Sequence, residues 1–279
     1  MRMRFRAYCM IIATLLLFSC CTEHPDKSFP DRIAIMYAFD AEGQLLRSQM
    51  TLEDSLFSVG RVFWVGELEG KDVIVVNSDV GMTNAAMTTQ LLIDKFKPKE
   101  IIFTGICGGI DPDNRIGDIV VPEYWVTHDY GLYNQEGFKT GWIYVYLTEK
   151  QASDTVTFFP VDSGLLAIAK RVKPDLKPIL GRTPRITVGG KGCSGNAFID
   201  QVEKREWLRE KLDAQIVDME SAAVVQVATI NGVPVMAVRS CSDLAGGSGS
   251  STARDEIQEF FGKAADNSAG FVLEFLRQL

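Results

Sequence analysis

Three carboxylates stand where short apolar runs of the chain come to an end. Glu42 follows IAIMYA (33 to 38), Glu220 follows QIVDM (215 to 219) and Asp243 follows VPVMAVRS (233 to 240). A charge in such surroundings is costly unless it is paired or put to use. Brought together, one acid can protonate a leaving group, one can activate a water, and a third can hold sugar hydroxyls, which is the chemistry of a glycosidic bond. That reaction calls for no cofactor. A metal is equally uncalled for: the imidazoles are His24 and His128 alone, and the cysteines lack CxxC or other metal-ligand spacing.

Each acid also has a plainer account. Glu42 opens the helix after the first strand, where a glutamate simply complements the macrodipole. Asp243, in SDLAGGSGSS, could cap a helix, although the glycine-serine run behind it leaves it free to face a cavity. Arg239 lies inside an apolar strand and needs an acceptor, for which Glu220 is the natural candidate; such a pair can be purely structural. Asp218, two residues before Glu220, is expected only to satisfy backbone or solvent near the strand end. TGICGGI (104 to 110) carries three glycines at a strand end, where the backbone at Cys107 and Gly108 can approach a ligand closely. It is not the GxGxxG of dinucleotide sites, and a plain tight turn explains it as well.

The elements that must position these groups read as alternating strands and helices. Short β-branched runs mark strands at 33 to 38, 72 to 77, 100 to 105, 117 to 122, 184 to 189, 215 to 219 and 233 to 240. Helical patterns run from Met82 to Phe96, from Glu220 to Ile230 and from Arg254 to Leu276, the second stopped by Asn231-Gly232. Alternation of this kind predicts a layered α/β domain with a parallel or mixed central sheet, in which ligands bind at the carboxyl ends of strands. The aromatic-rich stretch from Tyr124 to Phe159 predicts either strand extensions with a long loop over a pocket or surface hairpins without a ligand role.

At 279 residues and 46% hydrophobic, the chain suits one large domain with a buried core. Its 29 basic against 36 acidic residues, with no basic stripe, exclude nucleic acid as a partner. The first residues stand apart. MRMRFR precedes an apolar run from Ala7 to Phe18 that ends in LFSC, the pattern of a lipoprotein signal (1 to 19) cleaved ahead of a lipid-modified Cys20. A short transmembrane anchor is the alternative, but about 20 apolar residues are needed to span a bilayer. Residues 20 to 31 then form a tether, residues 32 to 279 the folded domain, and the protein is expected as a membrane-anchored lipoprotein of the cell envelope. Cys107, Cys193 and Cys241 read as buried free thiols.

In order from Ile33 to Leu276, the motifs IAIMYAFDAEGQLL, SDVGMTNAAMTTQLLI, FTGICGGI, RIGDIVVP, SGNAFID, VDMESAA and VRSCSD resemble the nucleoside phosphorylase and nucleosidase superfamily. Within it the chain is most similar to the 5′-methylthioadenosine/S-adenosylhomocysteine nucleosidases. The resemblance implies a three-layer αβα sandwich around a mixed central sheet and a homodimer or higher homo-oligomer. It implies cleavage of a nucleoside's ribosyl bond through an oxocarbenium-like transition state. Asp243 would protonate the purine and Glu42 would activate water. Glu220 would hold ribose hydroxyls, with Met219 beneath the sugar and Arg239 orienting Glu220. Phe198 would stack on the base, Ile199 would offer its backbone to the base edge, and Ser242 would position Asp243.

Where the phosphorylase branch carries a GDPxR-like turn and an arginine, this chain has AFDAE and Phe103, so water is the expected nucleophile. The chain departs from the nucleosidases at Ile106, where they carry a small polar residue, and at Asn196, where they carry aspartate. The aromatic segment resembles that of plant bark and vegetative storage proteins of the same superfamily. The nucleosidase expectation thus stands beside two others, a phosphate-dependent phosphorylase and a non-catalytic nucleoside-binding or storage lipoprotein.

Overall fold

The computed structural model describes residue 29 and residues 31–279. The expected signal, Cys20 and nearly all of the tether lie outside the described residues. The chain begins with β1 (Ile33–Tyr37) and α1 (Asp40–Gln49), then runs through an antiparallel meander of β2 (Thr51–Ser58), β3 (Arg61–Leu68) and β4 (Lys71–Asn77). Helix α2 (Met82–Phe96) returns it to β5 (Glu100–Gly109), followed by β6 (Ile119–Val121) and β7 (Tyr124–Thr127). Two hairpins come next, β8 (Gly131–Asn134) with β9 (Gly137–Thr140) and β10 (Ile143–Leu147) with β11 (Ala152–Val156). The remainder is β12 (Phe159–Pro160), α3 (Ser163–Ala169), β13 (Ile186–Val188), β14 (Lys191–Ser194), α4 (Val202–Leu212), β15 (Ala214–Asp218), α5 (Ser221–Asn231), β16 (Val235–Asp243) and α6 (Ala253–Gln278).

A twelve-stranded mixed sheet organises these elements, flanked by the helix pairs α2 with α5 and α1 with α6. The three-layer expectation is met. Its axis is β5, all ten residues of which are buried. Along one edge β16 pairs with it in parallel from Val235↔Ile101 onward. The other edge is shared. Parallel β1 covers Glu100 to Phe103, antiparallel β15 covers Gly108 and Gly109, and the carboxyl ends of the two strands point at each other across the stretch between. Backbone amides of β5 opposite that gap have no strand to pair with. The end-to-end meeting of β1 and β15 therefore builds a polar recess into the middle of the sheet.

Two open readings are decided. The glycines of TGICGGI form no turn: strand β5 continues through Gly109, because neighbouring side chains need the space that a Cβ would fill. At Gly105 a Cβ would lie 2.0 Å from Arg239 Nη1 and 2.3 Å from Glu42 Oε1, and at Gly108 it would lie 2.9 Å from Asp243 Oδ1. The aromatic segment begins and ends in the main sheet, at β7 and β12, and folds between them as surface hairpins. Val145 and Leu147 of β10 turn inward while Tyr144 and Tyr146 stay exposed.

Candidate active site

Glu42 occupies the first turn of α1 and is 1% exposed. Its side chain folds back so that Oε2 accepts from the amides of Ala38 at 2.7 Å and Phe39 at 3.3 Å. Oε1 accepts from the amide of Ile106 at 2.8 Å, one of the β5 donors left open between β1 and β15. A helix-dipole role alone would not send it across to β5. Burial raises its pKa, opposed by Arg239 and these three amides.

Arg239 is wholly buried in β16, its guanidinium 4.1 Å above the ring of Phe103. Its closest acid is Asp218, not Glu220: Nε lies 2.7 Å from Asp218 Oδ2, while Glu42 Oε1 and Glu220 Oε2 are each 3.7 Å from a terminal nitrogen. The expected Arg239–Glu220 pair is present, Glu220 being one of three carboxylates around the arginine and Asp218 the nearest. Asp218 is no idle neighbour. It accepts from the hydroxyls of Ser194 and Ser221 and from the amides of Glu220 and Ser221, and Ser194 also accepts from the amide of Ala222. Those donors fix Asp218 at the end of β15 and leave it to anchor the arginine.

Glu220 is the residue at which β15 turns into α5. Its Oε1 accepts from the amide of Gly81, at the N-terminus of α2, at 2.8 Å. Met82, the next residue, donates its amide to Asn196 Oδ1 at 3.2 Å, so one helix end holds two sides of the site. Burial first, and then the charge of Asp218, push the Glu220 carboxyl up to about 7.

Asp243, the last residue of β16, is 2% exposed. The hydroxyl of Ser242 lies 2.9 Å from its Oδ2 and 3.3 Å from the carbonyl of Cys107. Its Oδ1 has no hydrogen-bond partner. The cap of the following helix is Thr252, which forms a capping box with Asp255, so Asp243 is spared that task. Burial raises its carboxyl to about 7, with Ser242 opposing.

Glu42, Glu220 and Asp243 share one cavity of about 200 Å³ with Cys107, Gly108, Phe198, Met219 and Ser242. Phe39, Val80, Ile106 and Ile257 supply an apolar wall. A smaller recess of about 30 Å³ beside Asp243 adds Ile199, whose carbonyl accepts from the amide of Gly246. Arg239 lies behind the lining. Ser194, Ser221 and Gly81 carry no chemistry-bearing signature in the sequence; only the position of Gly81 just ahead of a helical pattern hints at a donor. Among the described residues no cluster suited to a metal ion occurs.

A profile of the Phosphorylase superfamily matches residues 32–277. The chain is similar to a 5′-methylthioadenosine/S-adenosylhomocysteine nucleosidase of Tolumonas auensis, 32% identical over 249 residues, which cover 89% of this chain and 100% of the relative. Among solved structures it resembles the nucleosidase of that name from Neisseria meningitidis in complex with methylthio-immucillin-A, with a TM-score of 0.75, 26% identity and coverage of 89% and 100%. It also resembles the futalosine hydrolase of Helicobacter pylori, with a TM-score of 0.74, 26% identity and coverage of 89% and 98%. The seven motifs, the fold and these matches converge: the chain belongs to the phosphorylase superfamily.

Proposed function

We propose that the protein hydrolyses the N-ribosyl bond of an adenine nucleoside or 5′-thionucleoside, of the methylthioadenosine or S-adenosylhomocysteine type, and releases the base. One observation carries this reading: two carboxyls lining a single cavity stand in opposite settings. Asp243 has an unpartnered oxygen and no bonded cation, and burial raises its carboxyl to about 7, so near neutral pH a protonated fraction is available to the purine ring. Glu42 is held by three amides and lies 3.7 Å from Arg239, contacts that oppose the effect of its burial and support a carboxylate able to accept a proton from water. As the glycosidic bond breaks, positive charge develops on the ribose beside Glu42 and Glu220, and the base takes the proton of Asp243. Glu220, anchored through one oxygen to Gly81, presents the other to the ribose hydroxyls, with Met219 beneath the ring.

Water is the nucleophile in this scheme. Position 103 is phenylalanine, and Arg239, the cation behind the cavity, is already surrounded by three acids. A desolvated phosphate would meet no free cationic partner in the lining. The apolar wall of Phe39, Val80, Ile106 and Ile257 suits a 5′-alkylthio group better than a charged one. Purified protein incubated with methylthioadenosine, S-adenosylhomocysteine, adenosine and inosine tests the reading. Free base is expected at a rate indifferent to added phosphate. Release only in the presence of phosphate would establish a phosphorylase, and no release would leave a binding protein.

We further infer that the mature chain begins at Cys20 and is lipid-anchored in the cell envelope, supported by the basic start, the apolar run and LFSC. Labelling by a palmitate analogue that Cys20→Ser abolishes is the check. Assembly as a homodimer or larger homo-oligomer is inferred from the family resemblance and is read by light scattering. The likeness of Tyr124 to Phe159 to bark storage proteins rests on the aromatic sequence of that stretch.

A further inference from the structure

Behind Asp243, a second carboxylate is buried without a cation. Glu256, near the start of α6, is 4% exposed, and among the described residues no lysine or arginine pairs with it. Its Oε2 accepts from the amide of Leu244, the residue after Asp243, at 2.8 Å, and its Oε1 accepts from the hydroxyl of Ser248. One carboxylate therefore fastens both ends of the turn from Leu244 to Ser248. That turn is bent through Gly246 and Gly247, with φ of 93° and 77°, conformations that exclude most side chains.

The same turn reaches the recess beside Asp243. Gly246 donates its amide to the carbonyl of Ile199 at 3.2 Å, and Arg205 Nη1 donates to the carbonyl of Gly247 at 3.0 Å. Asp200 Oδ1 accepts from the amide of Ala253, at the head of α6, at 2.8 Å. Groups from several elements surround Asp243. Ser242 on β16 donates toward it. Cys107 on β5 offers a neutral thiol, raised by burial. Asp218 on β15 is engaged by Arg239. Glu42 and Glu220 line the cavity from α1 and from the head of α5, and Arg205 on α4 is tied to Gly247. Glu256 and Asp200 each add negative charge that favours the protonated form of Asp243.

We propose that Glu256 is a positioning residue for the proposed reaction, holding the Leu244–Ser248 turn against Asp243 and, by its charge, keeping the proton on Asp243 until the base leaves. This rests on Asp243 being the general acid. Glu256 touches no substrate; it acts through the backbone next to Asp243 and through the field at its carboxyl.

The test is the pH dependence of kcat/KM for base release from methylthioadenosine by the wild type, Glu256→Gln and Asp200→Asn. Glutamine keeps an acceptor for Leu244 and a partner for Ser248 while removing the charge. Asp243 works protonated, so the rate falls as pH rises through its pKa, and a lower pKa moves that fall to lower pH. Glu256→Gln is expected to shift the basic limb down by about one pH unit while keeping the rate on the acid side within about threefold. Asp200→Asn should shift it the same way by less. A uniform loss of rate with the limb unmoved in both variants would make Glu256 a structural prop and overturn the proposal. If Glu256→Gln does not fold, Asp200→Asn decides alone: an unmoved limb overturns the field argument. A wild type that turns over with no basic limb would instead remove Asp243 as general acid, and this inference with it.

Discussion

Gly105→Ala should disable the site more than any other single methyl group. The new Cβ would stand 2.0 Å from Arg239 Nη1 and 2.3 Å from Glu42 Oε1, where ordinary contact begins at 3.4 Å. Neither neighbour can swing aside. Arg239 is wholly buried over Phe103 and fixed by Asp218, and Glu42 is held by the amides of Ala38, Phe39 and Ile106. Overpacking a core of this kind costs about 1–3 kcal/mol, which in a chain of this size lowers Tm by about 5 °C. The kinetic cost is larger. Displacing the Glu42 carboxylate by about 1 Å should slow base release by ~10²-fold. Calorimetry and a continuous base-release assay measure both. Gly262→Ala is the control, because an added Cβ there, on an exposed turn of α6, meets nothing within 4 Å and should stabilise by about 0.5–1 kcal/mol. A Gly105→Ala protein that melts and turns over like the wild type would refute the close approach of Glu42 and Arg239 over this strand.

Asp243→Asn should bind an adenine nucleoside by calorimetry yet release base ~10²–10⁴-fold more slowly; undiminished release would remove Asp243 as the acid. Asp218→Ala strips Arg239 of its nearest counter-ion and leaves the hydroxyls of Ser194 and Ser221 without their acceptor, so denaturant melts should show a loss of about 3–5 kcal/mol. Stability should also fall with rising pH. The carboxyls of Glu220 and Asp243 stand at about 7 in the folded protein, above their unfolded values, so the stability they contribute is complete below about pH 4 and lost as pH rises through 7. The Tm of the ligand-free protein should therefore drop between about pH 5 and pH 7 and level off above that, and Asp243→Asn should flatten the drop; a flat wild-type curve would contradict the burial of these acids.

Helices α2, α5 and α6 were legible because apolar spacing and stop signals agree, whereas α3 and α4 were not. The pattern from Met82 to Phe96 matches α2, which ends at Lys97 in a left-handed turn, and the long C-terminal pattern matches α6 to within two residues at either end. Strands β2 and β3 escaped notice. β2 alternates exposed and half-buried positions at the edge of the sheet, so it carries little apolar signal. For the glycines of β5 the sequence leaves close backbone approach and a tight turn equally open, because the reason for them, the side chains of Glu42 and Arg239, comes from distant parts of the chain. The gathering of Glu42, Glu220 and Asp243 followed from their places at strand ends, since strand ends converge in this architecture. The partner of Arg239 could not be read that way. Asp218 holds its position through Ser194, 24 residues away on β14, and spacing along one strand says nothing about that bond.

The meeting of β1 and β15 on one edge of β5 also makes catalysis a clock for folding. The contact that holds Glu42 spans 64 residues, and the one that holds Glu220 spans 139. Neither forms locally: the first needs β1 and α1 docked on β5, and the second needs the β15–α5 junction brought against the head of α2. In refolding, helical signal should return early, while base release returns only when the last long-range pairing closes. The lag between the two times the completion of the sheet.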